Sequence, residues 1–279
     1  MSIPTTLSIE QWLLQALQRG PRRIVGIIDE LKDVRPGTTK QGVYAALRVL
    51  KKQEKVVLHR GRASLNSAWV SSMASFFSIA QKYYRDEDSG DGNFLHLQDG
   101  EKISYSFKDA VLTDAFWGHA FHLLVATEQP NTPVYLYNPH QWFLIAREKS
   151  EKELLSFVLK NKRQYLLTVG SSFPLDKHIS SLFDGEQSQY YMRSASLFPK
   201  NNYYFNIIGD FIIEAWIDVD VANKVNDAYA SSGAYTETIK KELEKIISSQ
   251  GKTKLVISRN KRKADKYKSM LKKYFYFPK

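Results

Sequence analysis

The stretch Thr38–Leu65, TTKQGVYAALRVLKKQEKVVLHRGRASL, decides how this chain is read. Thr38 or Thr39 caps a helix that runs to about Gln53, because a threonine oxygen ahead of an apolar-periodic run accepts the first orphan N–H groups. Val43, Ala46, Leu47 and Leu50 recur at helical spacing and predict an inner stripe. Gln41, Tyr44 and Arg48 fall on the opposite face, with Lys40 and Lys51 beside them. Lys55–His59 then reads as a strand, Arg60-Gly61-Arg62 as a tight turn, and Ala63–Leu65 as the return strand. A helix with a polar outer face, followed by a hairpin tipped with arginines, suits a polyanion.

Working outward toward the N-terminus, Ser8 caps a helix from about Ile9 to Arg19, with Gln11 at the capping-box position. Ile9, Trp12, Leu13, Ala16 and Leu17 follow its stripe, and Gly20-Pro21 ends it. A second helix is expected from about Arg22 to Lys32, with Ile24, Ile27, Ile28 and Leu31 on one side, before the turn Arg35-Pro36-Gly37. Three helices and a two-stranded wing predict the winged variant of the helix-turn-helix, whose third helix enters the major groove.

The segment VYAALRVLKKQEKV resembles the recognition-helix segment of winged-helix transcriptional regulators such as the TrmB, MarR and PadR groups, over about 60 residues. The resemblance implies double-stranded DNA as partner. It implies Thr39, Lys40, Gln41, Tyr44 and Arg48 facing the duplex, with Thr38 and Lys51 at the margins of that face. Arg60 and Arg62 would grip the minor groove or phosphates. The sequence departs from these regulators at one place: they have a glycine ahead of the first wing strand, and here the residues are Gln53-Glu54-Lys55.

Composition and charge bound the rest. The 279 residues suit two domains, and 43% apolar content supports real cores. The absence of cysteine excludes disulfide frameworks, thiolate zinc sites and cysteine catalysis. No apolar run approaches the roughly 18 residues of a membrane span, and MSIPTTLSIE lacks the features of a signal peptide. A cytoplasmic protein without a membrane partner is expected. Charge is uneven: residues 1–66 carry 12 Lys/Arg against 5 Asp/Glu, residues 67–250 carry 17 against 23, and residues 251–279 carry 11 against 1. A basic head and tail around an acidic middle favour a polyanion at the ends.

Ser67 to about Tyr84 reads as a further helix, its aromatic stripe suited to pairing with a twin in a homodimer or to packing on a neighbouring domain. Asp86–Asn93, DEDSGDGN, reads as a linker. The expected organisation is therefore residues 1–66, a connecting segment 67–93, and a second domain 94–279. In that domain strands are expected at Phe94–Leu97, Lys102–Phe107, Val134–Tyr137, Trp142–Ala146, Tyr165–Val169, Tyr190–Arg193, Tyr203–Ile208, Phe211–Ile217 and Lys254–Ser258. Helices are expected at Lys108–Thr127, from a Ser150/Glu153 capping box to Asn161, at Leu175–Phe183, Asp218–Ser231, Glu237–Ser249 and Lys261–Phe275. The fold class is α/β overall, a mostly α winged head followed by an α/β sandwich with a mixed sheet.

That element order resembles a phospholipase D-like module, which is also the architecture of the TrmB effector domain. The HxKxxxxD motif of catalytic members is absent, since Gln-Trp follows His140 and Ile-Ser follows His178. His119 and His122 sit three apart on a helix but lack a third ligand, so no metal is expected. Asp210 and Glu214 lack the lysine a nuclease of the PD-(D/E)xK kind needs. Tyr135, Tyr137, Trp142, Tyr190, Tyr191, Tyr203, Tyr204 and Trp216 could line a ligand pocket or fill a sheet core. The expectation is a non-enzymatic, cofactor-free transcriptional regulator, homodimeric, with a second domain for a small-molecule or protein effector. The alternatives are a nucleic-acid-acting enzyme and an antitoxin-like protein binder.

Overall fold

The structure, a computed structural model, describes residues 7–85 and 94–277. The expected linker Asp86–Asn93 lies outside the described residues. The fold is α/β, divided into two compact units, residues 1–86 and 87–279.

In the first unit, α1 (Ile9–Leu17) opens on the expected capping box, Gln11 N–H donating to Ser8 Oγ (3.2 Å) and Ser8 N–H to Gln11 Oε1 (2.9 Å). The expected start of the second helix is corrected: Arg22–Arg23 form a short strand, β1, and α2 spans Ile24–Val34. β1 exists because its partner is remote in sequence. After α3 (Lys40–Lys52) come β2 (Val56–His59) and β3 (Arg62–Leu65), and β1 pairs antiparallel with β3 to complete a three-stranded sheet in the order β1-β3-β2. Trp12, Leu13, Leu17, Ile27, Leu31, Val43, Leu47 and Leu50 form one buried core with Val56 and Ala63 of the hairpin. Each Leu- or Ile-sized side chain withdrawn from water contributes about 1.5–3 kcal/mol. α4 (Ser67–Arg85) closes the unit.

In the second unit a seven-stranded mixed sheet has the order β4-β10-β9-β8-β5-β6-β7, with β4 Lys102–Asp109, β5 Val134–Asn138, β6 Tyr165–Val169, β7 Ser188–Met192, β8 Tyr203–Ile208, β9 Phe211–Trp216 and β10 Gln250–Arg259. β5, β6 and β7 run parallel; the remaining neighbours are antiparallel. β5 and β6 are buried at every position, as expected for parallel strands covered on both faces. Alternation along them sends Val134, Leu136, Leu167 and Val169 toward α5 (Ala110–Thr127) and α7 (Glu148–Lys160). Tyr135 and Leu166 point the other way, onto α11 (Lys261–Lys272). α6 (Phe143–Ala146), α8 (Pro174–Ser180), α9 (Val219–Ser231) and α10 (Glu237–Ile247) share a further apolar cluster.

Three expectations are corrected here. Phe94–His96 is a turn of 3₁₀ helix rather than a hairpin strand, because β4 pairs with β10 (Val256 opposite Ser104) instead of with its sequence neighbour. Phe143–Ala146 is helical: four apolar residues do not by themselves distinguish strand from helix, and Trp142 C=O accepts from both Ile145 N–H and Ala146 N–H. α7 starts at Glu148, ahead of the expected Ser150 cap. Arg147 at its head is held by an ion pair to Asp114 (2.7 Å).

Candidate nucleic-acid interface

Thr39 is the N-cap of α3, its Oγ1 accepting from Gly42 N–H (3.1 Å), and this sets the register of the helix surface. Val43, Ala46, Leu47 and Leu50 are buried, so Lys40, Gln41, Tyr44, Arg48 and Lys51 are exposed. Thr38 departs from the group: it is buried, its hydroxyl has no partner among the described residues, and it is not presented on this surface.

The hairpin pairs His59 with Arg62, leaving Arg60 and Gly61 as the two loop residues. Both have positive φ (46° and 73°), the backbone of a type I′ turn, whose twist matches the flanking strands. Arg62 is thus the first strand residue rather than part of the turn. Gly61 C=O accepts from Ile24 N–H (3.0 Å), tying the hairpin to the head of α2.

β1 adds a residue that sequence reasoning missed. Arg23 lies directly opposite Arg62 across the β1–β3 ladder, and both are exposed. Direct cross-strand partners share a face, and like charges so placed destabilise a sheet. The neighbouring Arg22 differs, being forked onto the Glu30 carboxylate. Among the described residues no carboxylate lies within ion-pair distance of Arg23, Lys40, Arg48, Lys51, Arg60 or Arg62. The signal in the sequence was the doublet Arg22-Arg23 just after Gly20-Pro21, a strand start that helical periodicity absorbed.

The other candidates of the second unit separate. Tyr135, Tyr137, Tyr203 and Trp142 are core residues. Tyr204 lines a cavity beside α5. Glu214 accepts from Tyr203 Oη (2.5 Å) and pairs with Lys263 (2.7 Å), while Asp210 sits in the β8–β9 turn. His122 Nδ1 lies 2.8 Å from Gly118 C=O, and its ring packs at a tilt against Phe157. No group of three or more metal-ligating side chains occurs among the described residues. Ser171 Oγ bridges His140 Nδ1 (2.9 Å) and Asp176 Oδ2 (2.7 Å), all three buried. The serine stands between histidine and aspartate, not the order in which a histidine takes the nucleophile's proton. The trio ties the ends of β5 and β6 together. Among the described residues no helix is long and apolar enough to cross a membrane.

No protein-family model and no curated protein matches the sequence. Among solved structures the chain is similar to one described as "Structure of TrmBL2, an archaeal chromatin protein, shows a novel mode of DNA binding", at 10% identity and a TM-score of 0.35, over 97% of this chain and 92% of that one. A likeness at that level carries no argument about this chain, and it lends none to the phospholipase D-like reading.

Proposed function

We propose that the protein is a DNA-binding transcriptional regulator whose first unit is a winged helix-turn-helix. α3 enters the major groove with Gln41, Tyr44 and Arg48 toward base edges. Lys40, Lys51 and the wing arginines hold the backbone. The observation that carries this reading is the cluster of exposed, acid-free cations on α3 and the wing, above all Arg23 opposite Arg62. An arrangement that costs stability in the free protein is relieved when phosphate supplies the missing charge.

The second unit serves as an effector or dimerisation domain and has no catalytic step of its own. α4, with Val70, Phe76, Phe77 and Ile79 exposed, pairs two copies in the cytoplasm. Two-fold symmetry then sets half-sites about one helical turn apart. The test separates affinity from specificity. After selection of a binding site from random duplexes, Gln41→Ala is expected to cost about 1–3 kcal/mol on that site and little on unrelated duplexes. Equal losses on both would remove Gln41 from base readout.

A further inference from the structure

Between α5, α7 and the sheet lies a cavity of about 50 Å³, at the point where β8 runs antiparallel to β5 and the parallel strands begin. One water needs roughly 10–15 Å³ by the same kind of measure, so the space takes about four atoms of that size. Its walls are unusually rich in carboxyl groups for an interior. Asp114 from α5 and Glu151 from α7 both face it.

The two carboxyl groups are not equivalent. Asp114 has its counter-ion in Arg147, 2.7 Å away. Glu151 has none: among the described residues no Lys, Arg or His lies within ion-pair distance of it. Lys152, its neighbour in the sequence, and Lys240 are both taken by Glu148. One Glu151 oxygen accepts from Gln141 Nε2 (3.2 Å), and Gln141 in turn accepts from Asn138 Nδ2. Among the described residues no donor bonds the other oxygen.

A second, independent feature points into the same space. Tyr165 lines the cavity and is 3% exposed, yet among the described residues its hydroxyl has no hydrogen-bond partner. Buried hydroxyls and carboxylates cost free energy unless they are paired. Here the unpaired groups are a carboxylate oxygen and a phenol oxygen beside one cavity, the acceptor set for a donor-rich cation.

We infer that this cavity binds a small organic cation of the alkylammonium or guanidinium class, through the Glu151 carboxylate and the Tyr165 hydroxyl, with Arg147 neutralising Asp114. An anion meets two carboxyl groups; a cation supplies the charge Glu151 lacks. The inference deepens the effector reading of the second unit. It is tested on binding alone, so loss of the DNA reading would leave it standing.

Proton linkage gives the site a signature. Burial, then the Asp114 charge, raise Glu151 well above the ordinary carboxylate range, against smaller opposing effects of Arg147 and Gln141. The groups facing it are Asp114 from α5, Arg147 at the head of α7, Tyr165 from β6 and Tyr204 from β8. Without a ligand the carboxyl therefore keeps its proton further up the pH scale, and a cation must displace that proton to bind. Affinity rises with pH until Glu151 is ionised in the free protein.

Trp117 Nε1 donates to Asn206 Oδ1, and both residues line the cavity, so the indole proton is a local reporter. Ethylammonium and guanidinium chloride, titrated at low millimolar concentration into ¹⁵N-labelled full-length protein, are expected to shift the Trp117 indole resonance, identified by its loss in Trp117→Phe, with saturation. Binding should be at least tenfold weaker at about pH 5.5 than at about pH 8.5, a comparison made on the wild-type chain. Glu151→Gln and the cavity-filling Ala215→Leu should each abolish saturation. Tetraethylammonium, too large, and acetate, of the wrong sign, should leave the resonance in place. A response that does not saturate, that acetate reproduces, or that survives Glu151→Gln unchanged overturns the assignment.

Discussion

Glu54 occupies a backbone position where its side chain is a liability. After α3, Lys55 N–H donates to Leu50 C=O (2.9 Å) and Glu54 N–H to Lys51 C=O (3.0 Å), a helix end that turns on Glu54 at φ 57°. A left-handed residue at a helix end is most often glycine. The chain makes the same turn without it, at the left-handed cost of about 1–2 kcal/mol for a non-glycine residue. Glu54→Gly should therefore raise the stability of the first unit by about 0.5–1 kcal/mol in urea unfolding, after the entropic cost of glycine; a loss of stability would mean that Glu54 makes a compensating contact. His140 and Asp176 give a second residue-scale prediction. Burial lowers His140 from 6.5 to about 4, so its contribution is present above pH 6.5 and lost as pH falls toward 4. Burial raises Asp176 from 3.8 to about 6, so its contribution is present below 3.8 and lost as pH rises through 6. The slopes oppose each other between about pH 4 and 6. Asp176→Asn removes one of them, and the variant should gain on wild type by roughly 3 kcal/mol across that interval. A difference that stays constant with pH would refute the linkage.

At the scale of elements, the end of α5 depends on one side chain. Arg163 is buried and donates to the carbonyls of Val125 (2.8 Å), Glu128 (2.6 Å), Gln129 (2.7 Å) and Thr132 (3.2 Å), so one guanidinium satisfies both helix-end and loop acceptors. Lysine keeps the charge and loses the planar fork. Arg163→Lys should destabilise the second unit by about 1.5–3 kcal/mol, read from its urea midpoint, and an unchanged midpoint would contradict the capping role. What the sequence made legible was what local chemistry specifies. Gly209-Asp210 at the β8–β9 turn, with only Gly209 at positive φ, is a two-residue hairpin signal that the sheet bears out. Ser8 and Asp218 cap their helices as expected. Two of the misses share a cause, a partner distant in the chain. β1 exists because of β3, and the expected strand β4 forms but pairs with β10, so Phe94–His96 is not its partner. Of the interface, the outer face of α3 followed from periodicity. Arg23 did not, since its place opposite Arg62 depends on a ladder that no local pattern encodes.

Over the whole molecule, charge and architecture point the same way. The first 66 residues carry 12 Lys/Arg against 5 Asp/Glu, and the three-helix unit they form turns several of those cations outward without acids to meet them. The second unit puts its carboxyl groups to other uses, inside a cavity and in ion pairs along α7 and α11. A protein built this way should bind duplex DNA through its head with an affinity set by counterion release. The most direct measurement is fluorescence anisotropy on a labelled duplex across a salt series, comparing wild type with Arg60→Ala/Arg62→Ala. Wild type should bind with log K falling linearly in log salt. The double variant should bind at least tenfold more weakly at low salt, with the slope shallower by about 2 if both arginines contact phosphate. Equal affinity and equal slope in the two proteins would contradict the account.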